Sequence, residues 1–241
     1  MMSATLHWSE IGRNPIAPSV CEHVKAQLAE CYRGPIFGLG PFWESIMKDK
    51  SVLDIGVVEH SREFMEREGW RHRIFRDHAS SIVGIDILEP EVEYLRQRGY
   101  DVQVCDATSD TDLGKRFDTV YAGDVIEHVD NPVSLLSFAQ RHLAAGGTAY
   151  ISTPCPFWWS NIRLAIKDGT YIGNVDHIRW VTPVNALEMA HRAGCVLSGY
   201  YTVETHGHTI MRKLAKSTIK KMFGRNELFT WCYIYEFKKK S

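Results

Sequence analysis

The chain has 241 residues, 44% of them hydrophobic and 24% charged, the profile of a packed globule rather than a disordered segment. Lys plus Arg number 28 and Asp plus Glu 29, a formal net charge of −1 that argues against a general nucleic-acid binder, which carries a basic excess. No apolar run reaches the ~18 residues of a membrane span, and the opening MMSATLHWSE lacks the basic and apolar regions of a secretory signal. With six scattered cysteines and no CxxC pair, reduced thiols in a cytoplasmic protein are expected.

Residues 1–50 read as an N-terminal helical cap. VCEHVKAQLAECY (20–32) places Val20, Val24, Leu28 and Tyr32 at helical spacing, RGPIFGLGPFW is turn-rich, and a short helix follows around 44–48. From residue 51 strands and helices alternate. SVLDIG (51–56) is a buried strand, 61–80 a long charged helix, SIVGID (81–86) a second strand, and 89–99 a helix closed by Gly99. YDVQVCD (100–106) and FDTVYAGD (117–124) are strands three and four. A helix over 131–147 opens on Asn131 and Pro132 and stops at Gly146-Gly147, and TAYIST (148–153) is strand five. The helix over 182–194 repeats that grammar with Thr182, Pro183 and Gly194, and 195–205 and 229–237 are late strands. This alternation predicts a mainly parallel sheet with helices on both faces, whose ligands bind at the carboxyl ends of the strands.

Those ends hold Gly56, Asp86, Asp106, Asp124 and Thr153. Each Asp alone reads as a turn or cap residue, but a carboxylate ending the second strand of a doubly wound sheet also suits two ribose hydroxyls. Residues 51–154 resemble the class I S-adenosylmethionine-dependent methyltransferases, and the likeness continues through about 194. VLDIG, VGIDI, QVCDATS, the block FDTVYAGDVIEHVDNP followed by RHLAAGGTAYISTP, and the tail DHIRWVTPVNALEMAHRAG carry it in order. The resemblance implies a Rossmann-like, doubly wound, seven-stranded sheet over 51–241, with 155–180 and 206–227 as insertions or lid elements. It implies S-adenosylmethionine as cofactor and S-adenosylhomocysteine as product. Asp54 and Gly56, with Val57, would approach the methionine part. Asp86 would hold the ribose, with Ile87 on the adenine. Asp106 and Ala107 would meet the adenine amino group, and Gly123, Asp124 and Val125 would line the methionine near the sulfonium.

One departure stands out. The first motif ordinarily has a second glycine soon after Gly56, where this chain reads Gly56-Val57-Val58-Glu59-His60-Ser61. Either the loop takes the bulkier chain and uses His60 or Ser61 on the cofactor, or cofactor binding is weakened, leaving a binding protein without catalysis. No GxGxxG follows any strand, which disfavours a nicotinamide dehydrogenase.

Methyl transfer to a hydroxyl asks for alignment, exclusion of water and a base. His128, just past strand four, and His177, just before the helix at 182, are the candidate catalytic residues, each with a structural alternative as a cap or a loop pin. Asp124, Glu127 and His128 also resemble the E-x-x-E-H metal box of ubiquinone-pathway and small-RNA O-methyltransferases, with Asp176-His177 through Trp180 as a further match. The expectation is nonetheless no metal, since metal-free relatives carry the same pair. Phe157, Trp158, Trp159 and Tyr171 in the long 155–175 connection suit an aromatic acceptor wall or a satellite core. Phe37, Phe42 and Trp43 suit a cover over the cleft. The basic, amphipathic stretch 208–225 suits an anionic membrane surface or a solvated face. The sequence thus predicts O-methylation of a small metabolite or saccharide, with a nucleic-acid acceptor as the disfavoured alternative.

Overall fold

A continuous apolar run makes a central strand. Val52, Leu53 and Ile55 of SVLDI are all buried, because the strand has neighbours on both sides and helices on both faces. The structure is a computed structural model that describes residues 6–204 and 227–240. In chain order its elements are α1 (Trp8–Ile11), α2 (Pro18–Cys31), β1 (Tyr32–Ile36), α3 (Leu39–Met47), β2 (Ser51–Ile55), α4 (Arg62–Met65), α5 (Arg71–His78), β3 (Ser81–Asp86) and α6 (Glu89–Arg96). They continue through β4 (Val102–Val104), β5 (Phe117–Gly123), α7 (Pro132–His142), β6 (Leu143–Pro154), α8 (Trp159–Asp168), α9 (Pro183–Arg192), β7 (Cys195–Glu204) and β8 (Thr230–Lys239).

The strands form one sheet in the order β1-β7-β8-β6-β5-β2-β3-β4, parallel except for β8, which runs antiparallel to both β6 and β7. The order reverses between β2 and β5, and the crevice at that reversal is where a doubly wound sheet takes its ligand. Strand alternation divides the core. Leu53, Ile55, Val120 and Ala122 face α2, α7 and α9 in one cluster, while Val52 and Tyr121 meet Met47 of α3 and Phe75 of α5 on the other face. Asp54, two residues on from Val52, therefore points at α5.

The expected mainly parallel, doubly wound sheet is present, with one strand more than the seven expected. Tyr32–Ile36, within the stretch read as turns, pairs with the outer side of β7. Gly34-Pro35 hid it: proline offers no N–H to a ladder, and is accommodated here because β1 is an edge. The single helix expected over 61–80 is instead two, α4 and α5, parted around Gly69-Trp70, where Trp70 Nε1 donates to the Val57 carbonyl at 3.1 Å. Strand β6 begins at Leu143, directly after α7, rather than at 148. Asn131 and Thr182 cap their helices as expected: Asn131 Oδ1 accepts from the Val133 and Ser134 amides, and Thr182 forms a capping box with Asn185.

Phe42 and Trp43 do not cover the cleft. Phe42 packs edge-on against Tyr150 and Tyr201, and Trp43 against Phe75 with its Nε1 donating to Tyr121 Oη at 3.2 Å. Among the described residues no helix is long and apolar enough to cross a membrane. The basic stretch 208–225 lies outside the described residues.

Candidate active site

The loop after β2 turns on Gly56, whose φ of +74° lies in the left-handed region. A β-carbon there would stand 2.4 Å from Val125 Cγ2, so the β2 and β5 loops touch where only glycine fits. The two valines that replace the usual glycine are accommodated in different ways. Val57 is 1% exposed and packs with Met65, Trp70, Val92, Leu95 and Val102, so its side chain belongs to the core and not to the cleft. The Val58 amide donates to Asp86 Oδ2 at 3.0 Å.

Asp54 is fully buried and faces α5. Its Oδ2 lies 2.9 Å from His72 Nδ1, and its Oδ1 is 3.6 Å from Arg71 Nε. Arg71 donates Nη2 to the Gly56 carbonyl at 2.7 Å and Nη1 to the Gly123 carbonyl at 3.2 Å. One guanidinium thus ties the end of β2 to the end of β5. Burial works against its charge, but Asp54, Tyr121, Asp124 and Glu59 outweigh that and hold it above the ordinary arginine value. Asp54 reaches the cleft through Arg71, not from the cleft surface.

At the end of β3, Asp86 accepts the Val58 amide on one oxygen and the Leu88 amide on the other, at 3.0 and 3.1 Å. Burial raises its pKa above the ordinary carboxylate value, against the pull of those amides. Ile87 beside it is 66% exposed, an apolar side chain left open at the strand end. Asp106, past β4, folds into a turn: Oδ1 accepts the Thr108 amide and hydroxyl, both at 2.7 Å. Ala107 is buried.

After β5, Asp124 takes a left-handed φ of +54° and is exposed. Its amide donates to the Ser152 carbonyl at 3.1 Å, and Ser152 Oγ donates to its Oδ1 at 3.3 Å. Glu127 follows with no exposed surface. Its Oε2 accepts from Thr153 Oγ1 at 3.1 Å and its Oε1 has no hydrogen-bond partner. Burial, reinforced by Asp124, pushes its pKa up to about 8. The Glu127 carbonyl accepts the Ile178 amide at 3.0 Å, which brings the 176–180 segment over the end of β5.

The two candidate histidines meet there. Their rings stand edge to face with centroids 4.7 Å apart. His128 Nδ1 lies 2.8 Å from Asp176 Oδ2, and His177 Nε2 lies 3.9 Å from Glu127 Oε1. Burial first, then His128, lowers the His177 pKa below the ordinary value, with Asp124 and Asp176 opposing and His60 adding to the lowering. His60, itself exposed, is therefore within electrostatic reach of the pair. Glu127, His128 and His177 each offer a donor atom within 4.8 Å of the others, a spacing that one divalent ion could bridge.

Beyond the pair, α8 ends at Gly169 and the chain returns past Tyr171 and Trp180. Trp180 meets His177 edge-on at 6.3 Å and Tyr171 at 5.9 Å. Of the four aromatics expected as an acceptor wall or a satellite core, Tyr171 packs with Trp180. Phe157 and Trp159 are 45% and 53% exposed, and Trp158 sits at the N-cap of α8. The sequence reading passed over Arg71 and His72 because they stood within what read as one solvated helix. The break at Gly69-Trp70 is the signal that could have found them.

A family model described as a methyltransferase domain matches residues 38–198. Among solved structures, a SAM-dependent methyltransferase from Archaeoglobus fulgidus is 17% identical, with 83% of this chain and 91% of that one covered and a TM-score of 0.57. The CcbJ methyltransferase of Streptomyces caelestis is 13% identical, covers 84% and 88%, and scores 0.56. An S-adenosylmethionine-dependent methyltransferase from Mesorhizobium loti is 15% identical, covers 83% and 96%, and scores 0.51. At these identities the likeness is one of fold. No curated protein sequence matches the chain.

Proposed function

This chain belongs to the class I S-adenosylmethionine-dependent methyltransferase family, and we propose that it methylates a hydroxyl on a small metabolite or saccharide. The reading rests on the His128–His177 pair, with one imidazole oriented by Asp176 and the other disposed to stay neutral, beside the loop at Asp124.

When bound, S-adenosylmethionine supplies an electrophilic methyl on a sulfonium. The protein's part is to hold, align and deprotonate. Gly56 lets the β2 loop turn sharply and close on Val125, which no side chain at that position would allow, and so sets the two loops that flank the methionine part. Asp86 takes the ribose hydroxyls on lone pairs left over from the Val58 and Leu88 amides. Ile87 backs the adenine, and Asp106 and Ala107 bound its edge. Gly123, Asp124 and Val125, braced by Arg71, flank the methionine part, with His60 at the open side. His128 or His177 removes the acceptor proton as the new bond forms. The near-neutral charge favours a small acceptor over a nucleic acid. We place the reaction in the cytoplasm, since all six cysteines are free thiols and five of them are buried.

Loss of the base is expected to lower turnover and leave cofactor affinity nearly intact. His128→Ala and His177→Ala are each assayed for S-adenosylhomocysteine dissociation and for turnover against an acceptor panel. At least one variant loses about 10²-fold or more in rate, the lower end for general-base removal. Near-full turnover in both would refute the assignment. The transfer is also expected to survive EDTA. Abolition by chelation, with recovery on adding Mg²⁺ or Mn²⁺, would instead make Glu127, His128 and His177 metal ligands.

Asp86→Ala is expected to weaken S-adenosylhomocysteine binding by about 2–3 kcal/mol, because two ribose hydroxyls lose a charged acceptor. Titration calorimetry on the folded variant reads this directly, and an affinity within twofold of the parent would remove Asp86 from the site.

A further inference from the structure

We propose that the acceptor carries a single ring-sized apolar group, which lodges between α8 and Trp180 while its hydroxyl is presented at His177. The proposal rests on the methyltransferase reading above and narrows the acceptor class.

Two hollows meet at Tyr171 and Trp180. The first, about 190 Å³, is lined by Pro156, Asn161, Ile162, Ala165, Tyr171 and Trp180. The second, about 330 Å³, shares Tyr171 and Trp180 and adds Ile172, Gly173, Asn174, Val175 and His177. Their chemistry differs. In the first hollow, Ile162 and Ala165 come from one face of α8 and Trp180 from the returning chain. Its one amide side chain, Asn161, is turned inward: it is 8% exposed, and Nδ2 donates to the Cys155 carbonyl at 3.1 Å. Tyr171 keeps its ring between the two hollows and its hydroxyl over Gly173, where a β-carbon would stand 2.3 Å from the oxygen. The polar end of Tyr171 thus belongs to the second hollow, with His177.

Size sets what the first hollow holds. An apolar cavity of about 150 Å³ takes up one benzene ring, and this open hollow of about 190 Å³ has room for a group of that size. A free saccharide carries hydroxyls on every edge, and Ile162 and Ala165 offer them no partner, while Trp180 offers only its indole N–H. The neighbouring hollow has an apolar part as well: Ile172 and Val175, 74% and 88% exposed, line it together with His177. The distance from ring to hydroxyl is short, because Trp180 lines both hollows and lies 6.3 Å from the His177 ring.

The test uses binding, not turnover. Phenyl β-D-glucopyranoside, 2-phenylethanol, n-octyl β-D-glucopyranoside and methyl β-D-glucopyranoside are titrated by calorimetry into the full chain saturated with S-adenosylhomocysteine. The phenyl probes are expected to bind at least about tenfold tighter than the methyl glucoside. Ala165→Phe, which fills the first hollow, and Trp180→Ala, which opens its wall, are each expected to erase that advantage, with melting temperature and S-adenosylhomocysteine affinity reporting that the fold is kept. The proposal is overturned if neither phenyl probe binds, if the methyl glucoside binds as well, if the octyl glucoside is the tightest, or if the phenyl preference survives both variants. Failure of S-adenosylhomocysteine itself to bind would strike the methyltransferase reading instead. The fate of the histidine variants bears on the base alone, so the three readings fail separately.

Discussion

Replacing Arg71 with methionine is expected to cost about 3–5 kcal/mol of stability, the range for removing one partner of a buried ion pair. The guanidinium side chain is 13% exposed and makes three contacts that nothing else replaces: the Gly56 carbonyl, the Gly123 carbonyl and the Asp54 carboxylate. Without it Asp54 keeps only His72, and the ends of β2 and β5 lose their cross-brace. At roughly 2–4 °C per kcal/mol for a domain of this size, the melting temperature falls by about 6–20 °C. S-adenosylhomocysteine affinity is expected to fall with it, because the proposed site puts the methionine part between the two loops. The paired variant Asp54→Asn with Arg71→Met is expected to recover part of the stability, since no unpaired carboxylate is left buried. A single Arg71→Met that melts within a degree or two of the parent would show that the brace carries no weight.

That brace marks where the sequence stopped being readable. Strands buried on both faces show themselves as short apolar runs, so β2, β3 and β5 were legible, as were helices that open on Asn131-Pro132 and Thr182-Pro183. What failed was set by contacts distant in the chain. Trp70 breaks the helix expected over 61–80 through a bond to the Val57 carbonyl, and the next residue is then Arg71, aimed at two strand ends 15 and 52 positions away. No local pattern encodes that. The strand β1 was hidden because Gly34-Pro35 is ordinary turn chemistry, and only the open edge of β7 makes it a strand. Carboxylates at successive strand ends were legible because the pleat places them there. The meeting of His128 with His177 was not, since it depends on the Glu127 carbonyl accepting the Ile178 amide.

Glu127→Gln is expected to stabilise the protein at alkaline pH and to change little in acid. Glu127 is fully buried, its Oε1 is unpartnered, and burial raises its pKa from an ordinary 4.5 to about 8. The folded state therefore keeps the proton through neutral pH, while the unfolded chain releases it near 4.5. The sign follows: the stability of the neutral acid is fully present below pH 4.5 and is lost as pH rises to about 8. Each unit in that window costs about 1.4 kcal/mol, so the loss by pH 8 is on the order of 4–5 kcal/mol. Glutamine has the shape of the neutral acid and no proton to lose. The variant should match the parent near pH 4.5 and melt about 8–20 °C higher at pH 8, with the gap opening steadily between. Melting curves that run parallel from pH 4.5 to 8.5 would mean that Glu127 is ionised in the fold. The consequence for catalysis lies in the 3.9 Å between Glu127 Oε1 and His177 Nε2. At neutral pH this contact joins two uncharged groups. A protonated Glu127 does not draw His177 into its imidazolium form, which keeps the imidazole in the state that the proposed role as base requires. Ionising Glu127 would reverse that, so the same buried carboxyl that weakens the fold at high pH favours the neutral form of the proposed base below it.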